Sequence, residues 1–305
     1  MTDIIIVGAG PAGLTAAIYA QRAGRKAVVF EASVYGGQIV NTPEIENYPA
    51  IKKISGYEFA QTLYEQAKDL GAEIKMERVV GIKDGGSVKT VVTDKGEYEC
   101  RAVILATGAK NRPLGLENEK ALIGKGVSYC ATCDGMFFRG KTVAVAGGGN
   151  TAVEDAFFLS NYCEKVYLIH RRDEFRAHER EVEKLRAKEN VEFVLNKNVT
   201  ALREDGGRLC AVEVTDKNTN EKQELSVAGL FVAIGQSPDN TAFENVASLA
   251  DGGYIKAGED CLTGTDGIFT AGDCRTKAVR QLTTAASDGA AAALAASGYI
   301  DSMDI

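Results

Sequence analysis

The first thirty residues run in blocks. Ile4-Ile5-Ile6-Val7 is an unbroken apolar run too short for a helix, the pattern of a strand covered on both faces. Gly8-Ala9-Gly10-Pro11-Ala12-Gly13 follows, then an alanine-rich stretch to Ala23, then Ala27-Val28-Val29-Phe30 closing on Glu31. The order predicts strand, glycine turn, helix, strand, acid. After residue 140 the order returns: Thr142–Ala146 is apolar, Gly147-Gly148-Gly149-Asn150-Thr151-Ala152 opens a helix to about Asn161, and Val166-Tyr167-Leu168-Ile169 is the next strand.

Each block is followed by short strands broken by turns, Asp84-Gly85-Gly86 in the first and Asp205-Gly206-Gly207 in the second. Each then reaches a buried-looking strand ending in glycine, Leu105-Ala106-Thr107-Gly108 and Val232-Ala233-Ile234-Gly235. The first block is longer by 12 residues, an excess assigned to an irregular loop over 33–55. Pro113 and Pro238 lie just past the two glycines, where linkers are expected. A third segment, 246–305, belongs to neither repeat. It holds a short strand running into Gly272-Asp273 and an alanine-dense helix predicted from Leu282 to about Ala296.

The glycine blocks have the grammar of dinucleotide sites. The first glycine makes the turn, the second lets a pyrophosphate reach backbone N–H groups at a helix start, and the third packs helix on strand. Glu31, 23 positions after Gly8, stands where a ribose hydroxyl is accepted. In the second block the matching position is His170, and Arg171, Arg172 and Arg176 follow. With no carboxylate to repel a 2′-phosphate and three arginines to bind it, this site is expected to select NADP over NAD. A solvated helix start of mixed charge is the competing reading, since Asp173, Glu174 and Glu179 interleave.

Composition narrows the class. The chain has 305 residues, 45% hydrophobic and 25% charged, the balance of a globular protein with room for two domains. Thirty-three glycines, about 11% against a usual ~7%, fit ligand-approaching turns. A net charge of −7 argues against a nucleic-acid partner. Ile4–Ala20 is uncharged but lacks a basic leader, and no run reaches the ~18 apolar residues of a spanning helix, so a cytoplasmic protein with no membrane partner is expected.

Of seven cysteines, two lie close together in Cys130-Ala131-Thr132-Cys133-Asp134. At i, i+3 their sulfurs share one face of a helical turn, and a helix start favours the thiolate needed for exchange. Zinc is the competing reading, but there is no second such pair and the only histidines are 170 and 178, so no metal is expected. Asp134 is either a proton carrier or a helix cap. Asp273 is either a polyol ligand or a turn cap. A nicotinamide gives a hydride and a dithiol takes two electrons; flavin is the cofactor that usually stands between them, and the first site would suit FAD.

Nine blocks then carry a family resemblance along essentially the whole chain: GAGPAG (8–13), GGQI (36–39), IENYP (45–49), ATG (106–108), CATCDG (130–135), GGGNTAVED (147–155), HRRDEFR (170–176), AGDC (271–274) and RQ (280–281). The sequence resembles the low-molecular-weight thioredoxin reductases. That resemblance implies an α/β fold of two Rossmann-like three-layer domains, the second inserted in the first: an FAD domain over 1–112 and 246–305, and an NADPH domain with the redox pair over 113–245. It implies that FAD is held by Gly8, Gly10, Pro11, Ala12, Gly13, Glu31, Gly37, Gln38 and Asn47, with Thr107, Gly108, Gly272, Asp273, Arg280 and Gln281. NADPH would be held by Gly147, Gly149, Asn150, Thr151, Ala152, His170, Arg171, Arg172 and Arg176. It also implies that Cys133 faces the flavin, Cys130 attacks the partner and Asp134 donates a proton.

The function so implied is NADPH-dependent reduction of the disulfide of thioredoxin or a thioredoxin-like protein by a homodimer whose inserted domain rotates about linkers near 113–117 and 239–245. The alternatives are a small-molecule dithiol oxidase, a ferredoxin-driven reductase and a non-enzymatic redox-sensing flavoprotein. HRRDEFR counts against the first two, which have no use for a 2′-phosphate clamp. Val279, Ser287-Asp288 and residues 109–113 depart from the commonest family wording.

Overall fold

The computed structural model describes residues 1–42 and 44–303. The chain opens with β1 (Thr2–Val7), α1 (Pro11–Arg22) and β2 (Ala27–Glu31), then α2 (Gly56–Asp69), β3 (Glu73–Met76), β4 (Val79–Gly85), β5 (Val88–Thr93) and β6 (Glu97–Leu105). It crosses into a second unit at β7 (Lys110–Asn111) and runs through β8 (Val127–Ser128), α3 (Ala131–Asp134), β9 (Thr142–Ala146), α4 (Asn150–Ser160), β10 (Lys165–His170), α5 (Glu179–Arg186) and β11 (Val191–Leu195). Strands β12 (Lys197–Asp205), β13 (Arg208–Asp216), β14 (Lys222–Ser226) and β15 (Gly229–Val232) follow. The chain returns at β16 (Gln236–Ser237) to finish with β17 (Ile268–Thr270) and α6 (Leu282–Met303).

Two compact units result: an outer one, Met1–Lys110 with Ser237–Ile305, and an inserted one, Asn111–Gln236. The second crossing falls nine residues before the expected 245/246 boundary. The reason is local packing. Asn240 is buried in the outer unit, donates to the carbonyls of Gly253 and Cys274, and accepts from Thr107 Oγ1 at 2.7 Å. Phe243 and Val246 pack in the same cluster as Ile5 and Leu105.

In the outer unit the sheet order is β3-β2-β1-β6-β5-β4, and β17 also pairs with β6. Strand β6 gives one edge to β1 over Cys100–Leu105 and divides the other between β5 at its start and β17 at its end. Alternate residues of β1 therefore serve different cores. Ile4 and Ile6 pack with the alanines of α1 and α6, whereas Ile5 and Val7 pack with Phe30 and Leu105. The small residues have a purpose: a Cβ at Gly289 of α6 would lie 2.2 Å from the Ala12 carbonyl oxygen of α1.

In the inserted unit a parallel sheet, β11-β10-β9-β15-β8, repeats the plan beside an antiparallel β12-β13-β14. Val143 and Val145 face α4, and Ala144 and Ala146 face the other core. No helix among the described residues is long and apolar enough to cross a membrane.

Two elements differ from expectation. Helix α6 runs seven residues past Ala296, because Ile300 is fully buried, Tyr299 sets its ring against Phe269, and the Ser297 hydroxyl donates back to the Ala293 carbonyl. Helix α2 was not anticipated. Its start is a complete capping box, Ser55 Oγ accepting from Glu58 N at 3.1 Å while Glu58 reaches back to Ser55 N.

Candidate active site

The inserted unit carries the redox pair. Cys130 is the N-cap of the single helical turn α3, and Cys133 lies on that turn. The two are joined as a disulfide with a Cα–Cα distance of 5.3 Å, as the i, i+3 spacing allows. Five other cysteines are free: Cys100, Cys163, Cys261 and Cys274 are buried and Cys210 is exposed. No group of three or more His, Cys, Asp or Glu among the described residues could hold a metal ion.

Asp134 follows the pair and is tied to it through a residue the sequence did not single out. The buried Ser128 hydroxyl donates to Asp134 Oδ2 at 2.6 Å and accepts from the Cys130 N–H at 3.1 Å. Burial pushes the Asp134 carboxyl above its usual range, and the Ser128 bond partly offsets it. The carboxylate bonds a neighbouring strand and does not cap its own turn. Ser128 could have been suspected only as a hydroxyl two residues before a redox cysteine, which is no signal by itself.

The second glycine block lies in this unit at the start of α4. A Cβ at Gly147 would be 2.3 Å from the Ala233 carbonyl oxygen, which only glycine permits. Gly149 is the N-cap, and no side chain among the described residues closes the first turn, leaving its N–H groups for an anion. The arginine segment is laid over this helix start by two bonds: Arg176 N donates to the Gly148 carbonyl at 2.8 Å and His178 N to Asn150 Oδ1 at 3.0 Å. Arg171, Arg172 and Arg176 are exposed, and no ion pair among the described residues occupies them. His170 serves differently: its ring is buried against Gly148, stacks on Phe175, and places Nε2 3.1 Å from the Glu174 carbonyl. Burial holds it below the usual imidazole range. Its place is inside the unit, shaping the loop.

The outer unit assembles the other set. Gly10 caps α1 with no side-chain partner, and a Cβ at Gly13 would lie 1.9 Å from the Gly8 carbonyl oxygen. Glu31 accepts from Ala9 N and Ser33 N, both at 2.9 Å, bracing the glycine loop from the end of β2. Gly37 comes against Gly10, where an added Cβ would be 3.2 Å from the Gly10 Cα. Gly272 packs on Ala12 and brings the third segment to the start of α1. Asn47 donates to Gln281 Oε1 at 3.3 Å, and Arg280 lies over the Tyr254 ring while donating to the Asp273 carbonyl. Gln38 is exposed.

Asp273 is the informative residue. Its Oδ1 is buried with no hydrogen-bond partner among the described residues, and burial pushes its carboxyl up. A buried acceptor left unmatched is costly unless a ligand supplies the donor. The unclosed start of α1, the glycine cradle and this acceptor fit a dinucleotide with a polyol, as FAD has. The unclosed start of α4 and the unpaired arginines fit a 2′-phosphorylated one, as NADPH has.

Comparison with known proteins agrees with this geometry. The family model described as pyridine nucleotide-disulphide oxidoreductase matches residues 2–289. The chain is 41% identical to a thioredoxin reductase of Bacillus subtilis (strain 168), over 99% of this chain and 95% of the relative. It is 44% identical to a thioredoxin reductase of Mycolicibacterium smegmatis, over 99% and 97%. The crystal structure of thioredoxin reductase from Streptococcus pyogenes MGAS5005 superposes with a TM-score of 0.94 at 37% identity, covering 99% of each chain. A match of this extent, through both glycine blocks and the cysteine pair, means that the chain belongs to the pyridine nucleotide-disulphide oxidoreductase family.

Proposed function

We propose that the protein takes electrons from NADPH through FAD to reduce the disulfide of thioredoxin or a thioredoxin-like protein, with Cys130 and Cys133 alternating between disulfide and dithiol. The observation that carries this reading is the Cys130–Cys133 disulfide, with Ser128 bridging the Cys130 N–H to a buried carboxyl, in a chain with two glycine-turn helix starts, one followed by Glu31 and the other by Arg171, Arg172 and Arg176. Bound NADPH and FAD would supply the electron pair that opens the disulfide. Gly8, Gly10, Gly13, Glu31 and Asp273 hold the flavin nucleotide; Gly147, Gly149, Arg171, Arg172 and Arg176 hold the nicotinamide nucleotide.

The chain's own residues carry the rest. When the 130–133 bond opens, one cysteine leaves as thiolate, and Asp134, whose burial favours the protonated carboxyl and which Ser128 ties to the pair, is the group placed to protonate it. Cys130 then attacks one sulfur of the partner disulfide as thiolate, its proton passing back to Asp134 and on to the partner sulfur it expels. Cys133 attacks Cys130, restores the internal disulfide and releases the second partner sulfur. Partner reduction and internal oxidation balance at two electrons and two protons.

The working form is a homodimer. An apolar groove of about 480 Å³ between α1, α2 and α6, lined by Ile18, Tyr19, Leu63, Pro49 and Ala290, supports this, and Leu294 is exposed on α6. The five unpaired cysteines fit the reducing cytoplasm. The test is NADPH oxidation assayed against thioredoxin-like proteins, with NADH as control. Rapid turnover with NADPH and thioredoxin is expected; a colourless purified protein, or turnover without preference for NADPH, would overturn the reading.

A further inference from the structure

Asp288 stands in the second turn of the alanine-rich α6, where a carboxylate is neither a good helix former nor solvated. It takes four donors at once. Arg275 gives it Nε and Nη2, each at 2.8 Å, Lys277 gives Nζ at 2.8 Å, and the Gly272 backbone gives N–H at 2.9 Å. All three side chains are sealed from solvent, at 4, 1 and 3% exposure for Asp288, Arg275 and Lys277. Burial pushes the Asp288 carboxyl up, but Arg275 and Lys277 outweigh it and the group remains ionised.

A buried ion cluster is a poor source of stability, because desolvation consumes most of the Coulomb gain and an apolar plug would pack the space as well. What it adds is direction. The donors are residues 272, 275 and 277, so one carboxylate pins three points of a single short segment to a long helix. Between the first two pins lies Asp273, with Oδ1 buried and unpartnered. The Arg275 fork extends the brace to the Thr276 carbonyl and to Glu259 Oε1.

We propose that Asp288 is the positioning residue of the flavin site, fixing the 272–277 segment so that the free acceptor of Asp273 stands preorganised before the cofactor arrives. The inference rests on the reading that the outer unit binds FAD. Preorganisation lowers the ordering cost of binding, so it is read in FAD retention.

The test measures FAD release from holoenzyme on dilution, by recovery of flavin fluorescence. Asp288→Asn keeps the size of the side chain and removes the charge; release is expected to accelerate roughly tenfold. Lys277→Met removes one donor of four, with roughly threefold faster release. The same substitutions in an Asp273→Asn background are expected to add little, since Asp288 acts through Asp273; a merely structural role would make them fully additive. Affinity of the inserted unit for adenosine 2′,5′-bisphosphate should be unchanged. Wild-type release rates in the single variants, or full additivity in the double variants, would overturn the proposal. If Asp288→Asn does not fold, Lys277→Met decides alone. A wild-type protein purified without flavin would instead sink the FAD reading itself.

Discussion

Replacing Asp134 by asparagine separates proton supply from geometry. Asparagine has the same size and retains an oxygen able to accept from Ser128 Oγ, so the bridge from Ser128 to the Cys130 N–H should persist. What is lost is the proton. General acid catalysis contributes ~10²–10⁴-fold, and a departing thiolate, with a pKa near ~8.5, needs less help than an alkoxide. The lower end applies, a fall of ~10²-fold in NADPH-dependent thioredoxin reduction, or about 3 kcal/mol. In the wild type, turnover should decline as pH rises through the elevated Asp134 pKa, and that limb should vanish in the variant. Stability should respond to the same titration. Between the ordinary carboxyl value of 3.8 and the raised folded value, the folded protein holds more protons than the unfolded chain, so stability falls as pH rises across that window. The asparagine variant escapes this penalty and should melt higher than wild type at neutral pH. Wild-type turnover with an unchanged pH profile would refute the assignment of Asp134 as acid.

Three further outcomes are expected. Cys130→Ser or Cys133→Ser should abolish protein-disulfide reduction while NADPH still bleaches the flavin; normal turnover by either would exclude the dithiol relay. Arg172→Ala and Arg176→Ala should raise KM for NADPH roughly tenfold each with little change for NADH, since one charged hydrogen bond to phosphate is worth ~1.5–3 kcal/mol. Asp155 on α4, pushed by burial and by Glu154 to about 7, should cost stability as pH rises from 3.8 through about 7. Asp155→Asn should therefore raise the melting temperature above that pH and leave it unchanged in acid, as read by thermal unfolding at two pH values.

The two glycine blocks were legible because their function is local: turn, helix start and following strand are consecutive in the chain, so spacing alone specifies them. Helix α2, just past the stretch expected to be irregular, was equally available through its capping box. His170 shows where local reading stops. The sequence marks it as the residue standing where an acid would be, but only packing reveals that its ring faces inward on Gly148 and Phe175. Ser128 and Asp288 carried no pattern, since a hydroxyl in a short strand and a carboxylate in an alanine helix acquire meaning only from their partners.

The sequence by itself determined the repeated strand–turn–helix units, the contrast between Glu31 and the arginines after His170, and a cysteine pair at bonding distance. Each of these depends on neighbours within about two dozen residues. Tertiary structure decided what depends on distant ones: that Gly272 and Gly289 let the third segment close onto α1, that Asp273 is left with a free acceptor, and that Ser128 joins Asp134 to Cys130. Backbone propensity and spacing act along the chain, whereas burial and hydrogen-bond completion are settled only when remote segments exclude water from one another.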